Sequence, residues 1–188
     1  MTVAELLSEL LLKYPHAYAN TDIVPRMDRL QKRIFRKLNT INYTTTTTIA
    51  NTSTYATTLK SQQIRKITVD GVDYGYWTPE EDQPARYWYW NNGNITLFPT
   101  PTVSGLTIEI WSYRVPTTLS SGSTSATPDL DSDFHMLLVY GVAKEICEDL
   151  RDGSMAVAMA TAYNDLYEEM MQAYQNSEVF VVKEIPWG

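Results

Sequence analysis

A helical pattern that runs from Pro128 to Tyr174 with one short break is the strongest constraint on the fold of this chain. Apolar residues recur three and four positions apart in two successive segments, and residues at that spacing lie on one face of an α-helix. The break is at residues 151–154, where Gly153 can end one helix and Ser154 can cap the next. The pattern therefore predicts two amphipathic helices that pack antiparallel as a helical hairpin. The apolar faces comprise Phe134, Leu137, Leu138, Gly141, Val142, Ile146 and Leu150 in the first helix, and Met155, Met159, Ala162, Tyr163, Leu166, Met170 and Tyr174 in the second.

Gly141 is an unusual residue on the first of these faces. Glycine in a helix interior is less favourable than alanine by about 1 kcal/mol. We therefore expect another backbone to pass close to Gly141, where a side chain would leave no room for it.

Two more helices are predicted near the N-terminus. Thr2 and Glu5 have the spacing of a capping box, and the short apolar stripe that follows them ends before Pro15. A longer helix begins near Asp22 and tolerates Pro25 in its first turn. Its apolar residues lie on one side, so its other side is free to carry charge.

Charge is segregated between this longer helix and the predicted hairpin. The helix carries six basic residues, whereas residues 128–178 contain eleven carboxylates against Lys144 and Arg151. A basic helix face by itself is typical of a solvent-exposed surface, but the opposite charge of the hairpin favours pairing of the two, in one chain or between copies, rather than binding of DNA. The candidate subunit-interface residues are Arg26, Arg29, Lys32, Arg33 and Arg36 on the helix, and Glu145, Glu148, Asp149, Glu168 and Glu169 on the hairpin.

Between the helical parts the sequence alternates as β-strands do. Threonine-rich segments begin at Tyr43, and Asp70-Gly71 and Asn92-Gly93 are dipeptides suited to tight hairpin turns. We therefore predict one α+β domain over residues 1–188. It is a helical bundle, formed by two N-terminal helices (1–42) and a C-terminal antiparallel helical hairpin (128–176), with an inserted antiparallel β region (43–127) and an extended C-terminal arm (177–188).

An aromatic run, Tyr87 to Trp90, stands out within the β region. Flat aromatic faces can stack sugars or bases. Successive residues of a strand point to opposite faces, however, so these four rings cannot form one platform, and a sheet covered on both sides explains them better. A binding module for glycan or nucleic acid remains the alternative.

The sequence offers little for catalysis or cofactors. His16 and His135 are the only histidines, and neither has a nucleophile or metal-ligand partner at a recognisable spacing. The series Asp129, Asp131 and Asp133 lacks the turn glycine of a calcium loop. We therefore expect no enzyme activity, no metal and no cofactor.

The chain's charge and apolar pattern also limit its location and partners. A net charge of −7 argues against an equilibrium nucleic-acid binder. The first residues lack the basic region of a secretory signal, and no apolar run reaches the roughly 20 residues of a membrane span. A single cysteine, Cys147, suits a reducing compartment. We expect a soluble intracellular product that does not enter a membrane.

The order of several segments resembles the head-to-tail connector (adaptor) proteins of tailed bacteriophages. These segments are residues 95–101, the strand that ends at 111–116, and Pro128-Asp129-Leu130 before the helical hairpin, and the resemblance spans about Thr21 to Tyr174. It implies a structural virion protein that is made in the host cytoplasm and resides in the neck between capsid and tail. It further implies a homo-oligomeric ring, a dodecamer, that binds the portal protein and the tail or nozzle proteins. DNA would pass through the ring only as cargo.

The C-terminal residues form a separate candidate site. Residues 179–182 are β-branched or aromatic and have no turn that folds them back, so they need a partner strand. That strand could belong to the chain's own β region, to a neighbouring subunit or to the portal. The residues of this docking arm are Val179, Phe180, Val181, Val182, Ile185 and Trp187.

Overall fold

A computed structural model describes residues 1–79 and 82–177 of the chain. These residues cluster into two compact units, one formed by residues 1–38 and the described residues from 115 onward, the other by residues 39–114. The first unit contains the helices α1 (Val3–Lys13), α2 (Asn20–Leu38), α3 (Met136–Asp149) and α4 (Gly153–Ser177). The second contains the strands β1 (Ile41–Thr47), β2 (Thr54–Ala56), β3 (Ile64–Val69), β4 (Val72–Tyr76), β5 (Tyr87–Asn91), β6 (Asn94–Phe98) and β7 (Thr107–Tyr113).

The helical unit is built around α3. Helices α1, α2 and α4 each pack on α3, and α3 is apolar on more than one face because its three neighbours cover different sides of it. Its fully buried residues are Leu137, Leu138, Val139, Val142, Ala143, Ile146 and Cys147. Leu150, predicted as part of the apolar face, lies after the helix and is 52% exposed.

At the α3–α4 junction, the left-handed residue and the helix cap each lie two residues before the predicted position. Arg151, with a φ of 60°, takes the left-handed conformation after α3, and Gly153 is already the first residue of α4. The cap of α4 is Asp152, whose Oδ1 accepts hydrogen bonds from Met155 N at 3.2 Å and from Ser154 Oγ at 3.0 Å. At α1, Thr2 and Glu5 form the expected capping box.

The second unit is a seven-stranded curled sheet in the order β1-β7-β3-β4-β5-β6-β2. The turns Asp70-Gly71 and Asn92-Gly93, all at positive φ, join β3 to β4 and β5 to β6 as antiparallel pairs. β4 and β5 pair in parallel, with Gly75 opposite Tyr87. The sheet core is formed by Ile64, Ile67, Val69, Trp88, Ile95, Leu97, Ile108 and Ile110.

The predicted fold class, a helical bundle with an antiparallel hairpin and an inserted antiparallel β region, is therefore wrong. The described residues form four helices, three of which pack on the fourth, α3, together with a mixed sheet. Sequence periodicity assigned α3 a single buried face, although apolar neighbours cover several of its sides. The parallel pair was missed because parallel strands usually need a longer crossover than the segment between Tyr76 and Tyr87 provides.

Candidate interaction surfaces

One of the candidate interface residues on α2 is already paired within the helical unit. Arg26 Nη1 donates to Asp149 Oδ2 at 2.7 Å, and its guanidinium lies 5.1 Å from the centroid of the Tyr18 ring. Tyr18 OH donates to the same carboxylate oxygen at 3.4 Å. The hydrogen bond to Asp149 and the negative charges of Asp149 and Glu145 raise the pKa of Arg26 above its ordinary value. These contacts attach the start of α2 to the end of α3.

Lys32 forms its ion pair with a carboxylate of its own helix, Asp28, and not with the acidic residues described on α3 or α4. Its Nζ donates to Asp28 Oδ2 at 2.6 Å and to Thr118 Oγ1 at 3.0 Å. Asp28 is mostly buried, and its other oxygen accepts from Leu119 N at 3.0 Å. Lys32 therefore neutralises a carboxylate that fixes the segment after β7.

Gln31 holds the same segment from the interior of the unit. Its side chain is completely buried, with Nε2 donating to Thr117 O at 3.1 Å and Oε1 accepting from Asp129 N at 3.0 Å. Thr117 N donates in turn to Asp129 Oδ2 at 2.7 Å. This clamp was not predicted, because the polar side of α2 has the sequence pattern of one charged face. The only available signal was an uncharged polar residue among the arginines and lysines.

The remaining basic residues of α2 form an exposed row. Arg29, Arg33, Arg36 and Lys37 are exposed, and within residues 1–79 and 82–177 none of them has a carboxylate within ion-pair distance. Positions 29, 33 and 36 are four and three apart, so they follow one side of the helix. We call these four residues the basic strip.

The candidate acidic residues divide into two groups. At the end of α3, Glu145 is half-buried near Arg26, and Glu148 lies 3.6 Å from Lys144 on the same helix. On α4, Glu168 and Glu169 are exposed beside Asp165, and in the described part of the chain none of the three forms an ion pair. We call Asp165, Glu168 and Glu169 the acidic strip.

The aromatic run on β5 contributes partly to packing and partly to a groove. Tyr87 and Trp88 are buried on opposite faces of the sheet, whereas Tyr89 and Trp90 are half-buried. β4 ends at Tyr76, and a groove of about 320 Å³ opens beside the rest of β5, where β6 is the strand paired with it. Among the described residues, its lining is uncharged and comprises Tyr76, Trp77, Thr78, Pro79, Tyr89, Trp90 and Asn91.

A second aromatic surface on the sheet was not predicted. Tyr43 on β1 pairs with Trp111 on β7, with ring centroids 4.9 Å apart, and both rings are exposed. Arg65 lies over the neighbouring Tyr113 ring, 5.6 Å from its centroid. The alternation of residues 109, 111 and 113 indicated one strand face, but only the pairing with β1 brings Tyr43 beside it.

The docking arm lies outside the described residues. Within residues 1–79 and 82–177, no group of three or more histidine, cysteine, aspartate or glutamate side chains is arranged to hold a metal ion. None of the described helices is long and apolar enough to cross a membrane.

Comparison with known protein families identifies the family of this chain. The sequence profile of the SU10 adaptor protein family matches residues 1–182, which include both compact units and every described helix and strand. No curated protein matches the chain.

Proposed function

This chain belongs to the SU10 adaptor protein family, and we propose that it assembles head to tail into a ring that connects the phage portal to the tail. The family is one of structural phage adaptors and not a class of enzymes, so the chain is a structural virion component that associates with other virion components. The proposed ring is a dodecamer in the neck. Its partners are the portal protein on one side and the tail or nozzle proteins on the other.

The observation that carries the ring proposal is a pair of charged strips on different helices, neither of which forms an ion pair within residues 1–79 and 82–177. A head-to-tail ring requires two different, complementary patches on each subunit. The basic strip on α2 and the acidic strip on α4 are exposed and have opposite charge. Complementary charge steers two surfaces together and sets their register. In the proposed ring, the basic strip of one copy faces the acidic strip of the next.

The overall charge supports the proposed path of DNA. The chain carries a net charge of −7, which disfavours tight binding to a polyanion. DNA would therefore pass through the ring without being retained by it. In this proposal the basic strip is occupied by carboxylates of the neighbouring copy and is not available to phosphates.

Charge reversal and charge exchange test the proposed interface. Changing Arg29, Arg33 and Arg36 to Glu places like charges on both sides of it, and we expect the ring to be lost in native mass spectrometry and in electron microscopy with the portal. Combining these changes with Asp165→Lys, Glu168→Lys and Glu169→Lys restores opposite charges and should restore assembly.

Two controls make this test specific. Melting of the unassembled chains should be nearly the same for all variants, because exposed charges contribute little to stability. Lys60→Glu with Arg86→Glu alters exposed charges of the sheet unit and should leave the ring intact. A reversed chain that assembles normally but no longer retains DNA would contradict the proposed pairing and assign the basic strip to nucleic acid.

The groove at the end of β4 favours a second candidate function, an aromatic binding module. Its described lining includes the aromatic side chains of Tyr76, Trp77, Tyr89 and Trp90, and that described lining lacks the lysines and arginines that phosphates require. A neutral glycan fits this lining better than a nucleic acid does. Titration with neutral oligosaccharides and with single-stranded oligonucleotides, using Tyr76→Ala as the comparison, tests this function. Binding that Tyr76→Ala does not weaken would exclude the groove.

A further inference from the structure

Strand β1 is an open edge of the sheet. It lies at one end of the strand order and, among the described residues, pairs only with β7. All seven of its residues are exposed. Its register with β7 is continuous from Ile41 to Thr47 and has no bulge. The other edge strand, β2, has only three residues, so β1 is by far the longer free edge.

The hydrogen-bond pattern shows which backbone groups of β1 are free. Arg114 N donates to Thr40 O at one end, and Thr48 N donates to Leu106 O at the other, both at 2.8 Å. Antiparallel residues alternate between hydrogen-bonded and non-hydrogen-bonded pairs, so the even-numbered residues of β1 bond to β7. The odd-numbered residues direct their N–H and C=O groups to the open edge. These residues are Ile41, Tyr43, Thr45 and Thr47.

A long uncovered edge strand can pair with strands of other chains and so cause aggregation. Native sheets protect long edges with charged side chains, proline or bulges. β1 has the sequence Ile-Asn-Tyr-Thr-Thr-Thr-Thr, which contains no charge and no proline, and it has no bulge. Its strongly β-forming threonines make it a ready template for another strand. A partner strand is therefore the simplest cover for β1.

We propose that residues 179–182 of a neighbouring copy add to β1 as an eighth strand. This segment, Val-Phe-Val-Val, consists of strand-forming residues that need a partner, as β1 does. Its four residues span about 13 Å when extended, which fits within the length of seven-residue β1. Backbone hydrogen bonds supply the affinity of such an added strand, and side-chain pockets supply its specificity.

The side chains beside β1 suit this occupant. Ile41, Tyr43 and Trp111 lie on one face of the sheet and are exposed, which gives an apolar surface beside the open edge. In an added strand, alternate residues would rest against this face, as Phe180 and Val182 can. Each copy provides one donor segment and one acceptor edge. The contact is therefore heterologous and is repeated around a closed ring. This inference rests on the proposed ring for its choice of the neighbouring copy.

Disulfide trapping tests the pairing directly. Thr44 is one of the β1 residues that bond to β7, so it forms non-hydrogen-bonded pairs on the open side, where paired Cβ atoms lie closest. Chains carrying Thr44→Cys are mixed with chains carrying Val179→Cys, Phe180→Cys, Val181→Cys or Val182→Cys, one at a time, and assembled with the portal under mild oxidation. The native Cys147 is buried and provides the background control.

We expect two-chain cross-links at alternate positions of the segment, because only alternate residues share a face of a strand. A chain that carries both Thr44→Cys and a cysteine in residues 179–182 serves for comparison. A cross-link that forms within this single chain, and never between two chains of the mixture, would show that the segment does not come from a neighbouring copy. Rings that form normally without a cross-link at any position would overturn the pairing while leaving the ring proposal intact. Failure of the unsubstituted chain to form rings would instead overturn the ring.

A proline variant provides a second readout. Thr45→Pro removes an N–H that points to the open edge, without removing a bond to β7, and proline is tolerated at such edge positions. We expect its circular dichroism to be unchanged and the cross-link to be lost. Thr45→Val, which keeps the N–H, should cross-link as the unsubstituted strand does. An undiminished cross-link in Thr45→Pro would contradict pairing at this edge.

Discussion

The side chain of Leu30 on α2 fills the space next to Gly141 on α3, so closely that a Cβ atom at position 141 would overlap Leu30 Cδ2. Two atoms of the Tyr163 ring on α4 would lie 3.2 and 3.3 Å from the same Cβ. Three helices therefore meet at this glycine. The glycine predicts a close backbone at this position, but the neighbours are the side chains of Leu30 and Tyr163.

Gly141→Ala should lower stability, although alanine favours a helix by about 1 kcal/mol over glycine. Leu30 and Tyr163 must move to admit the methyl group, and overpacking a core usually costs about 1 to 3 kcal/mol. Urea unfolding measures the difference. Gly153→Ala is the matched control, because nothing lies within 4 Å of a Cβ there, and it should not destabilise the chain. Leu30→Ala combined with Gly141→Ala should cost less than the sum of the two single changes.

Gln31→Ala should loosen the segment after β7. The change removes the side-chain partners of Thr117 O and Asp129 N, and each hydrogen bond lost at these partly buried groups costs about 0.5 to 1.5 kcal/mol. Hydrogen exchange should show faster exchange of the amides around 117–129. Arg29→Ala on the exposed side of the same helix should stay within about 0.5 kcal/mol of the unchanged chain. Equal effects of both changes would contradict the clamp.

Trp88 and Trp90 should respond differently to truncation. Trp88 is 2% exposed in the sheet core, and removal of a buried tryptophan side chain costs about 3 to 5 kcal/mol. Trp90 is half-buried at the groove, where its Nε1 donates to Leu59 O at 3.2 Å, so Trp90→Ala should cost clearly less. Denaturant unfolding measures the loss of unfolding free energy in each of the two variants. A larger loss for Trp90 would show that the groove wall stabilises the sheet more than its core does.

His16 should make stability fall at acidic pH. Burial lowers the pKa of His16 below its ordinary value of 6.5, and Nδ1 accepts a hydrogen bond from Tyr18 N at 3.2 Å. The unfolded chain therefore binds a proton at a higher pH than the folded chain does, so stability declines as pH falls below about 6.5 and levels off below the folded pKa.

Unfolding measured at pH 7.5 and pH 5.5 tests this dependence. His16→Asn keeps an acceptor that can reach the N–H two residues later but does not titrate in this range, so its stability should change less between the two conditions. NMR titration of the ring protons should give a pKa for His16 below 6.5. Equal pH dependence in both chains would exclude His16 as the cause.

Features that depend on neighbouring residues were predictable from the sequence. The capping box of Thr2 and Glu5 and the turns Asp70-Gly71 and Asn92-Gly93 occur where the sequence indicates them. Such features depend on a few dihedral angles and on hydrogen bonds between residues close in the chain. The basic and acidic segments could also be counted in the sequence. The sequence did not show which of these charges form ion pairs in the folded chain.

Tertiary packing decided the rest, because each remaining feature joins residues far apart in the chain. The central position of α3 arises from three helices that cover different sides of it. Arg26 is neutralised by Asp149, 123 residues away, whereas Arg29 has no ion-pair partner in the described part of the chain, although both lie on the basic side of one helix. β5 pairs in parallel with the last two residues of β4, Gly75 and Tyr76, and this contact forms only in the folded chain. Sequence periodicity indicates that a face is buried, but only the folded chain determines which residues cover it.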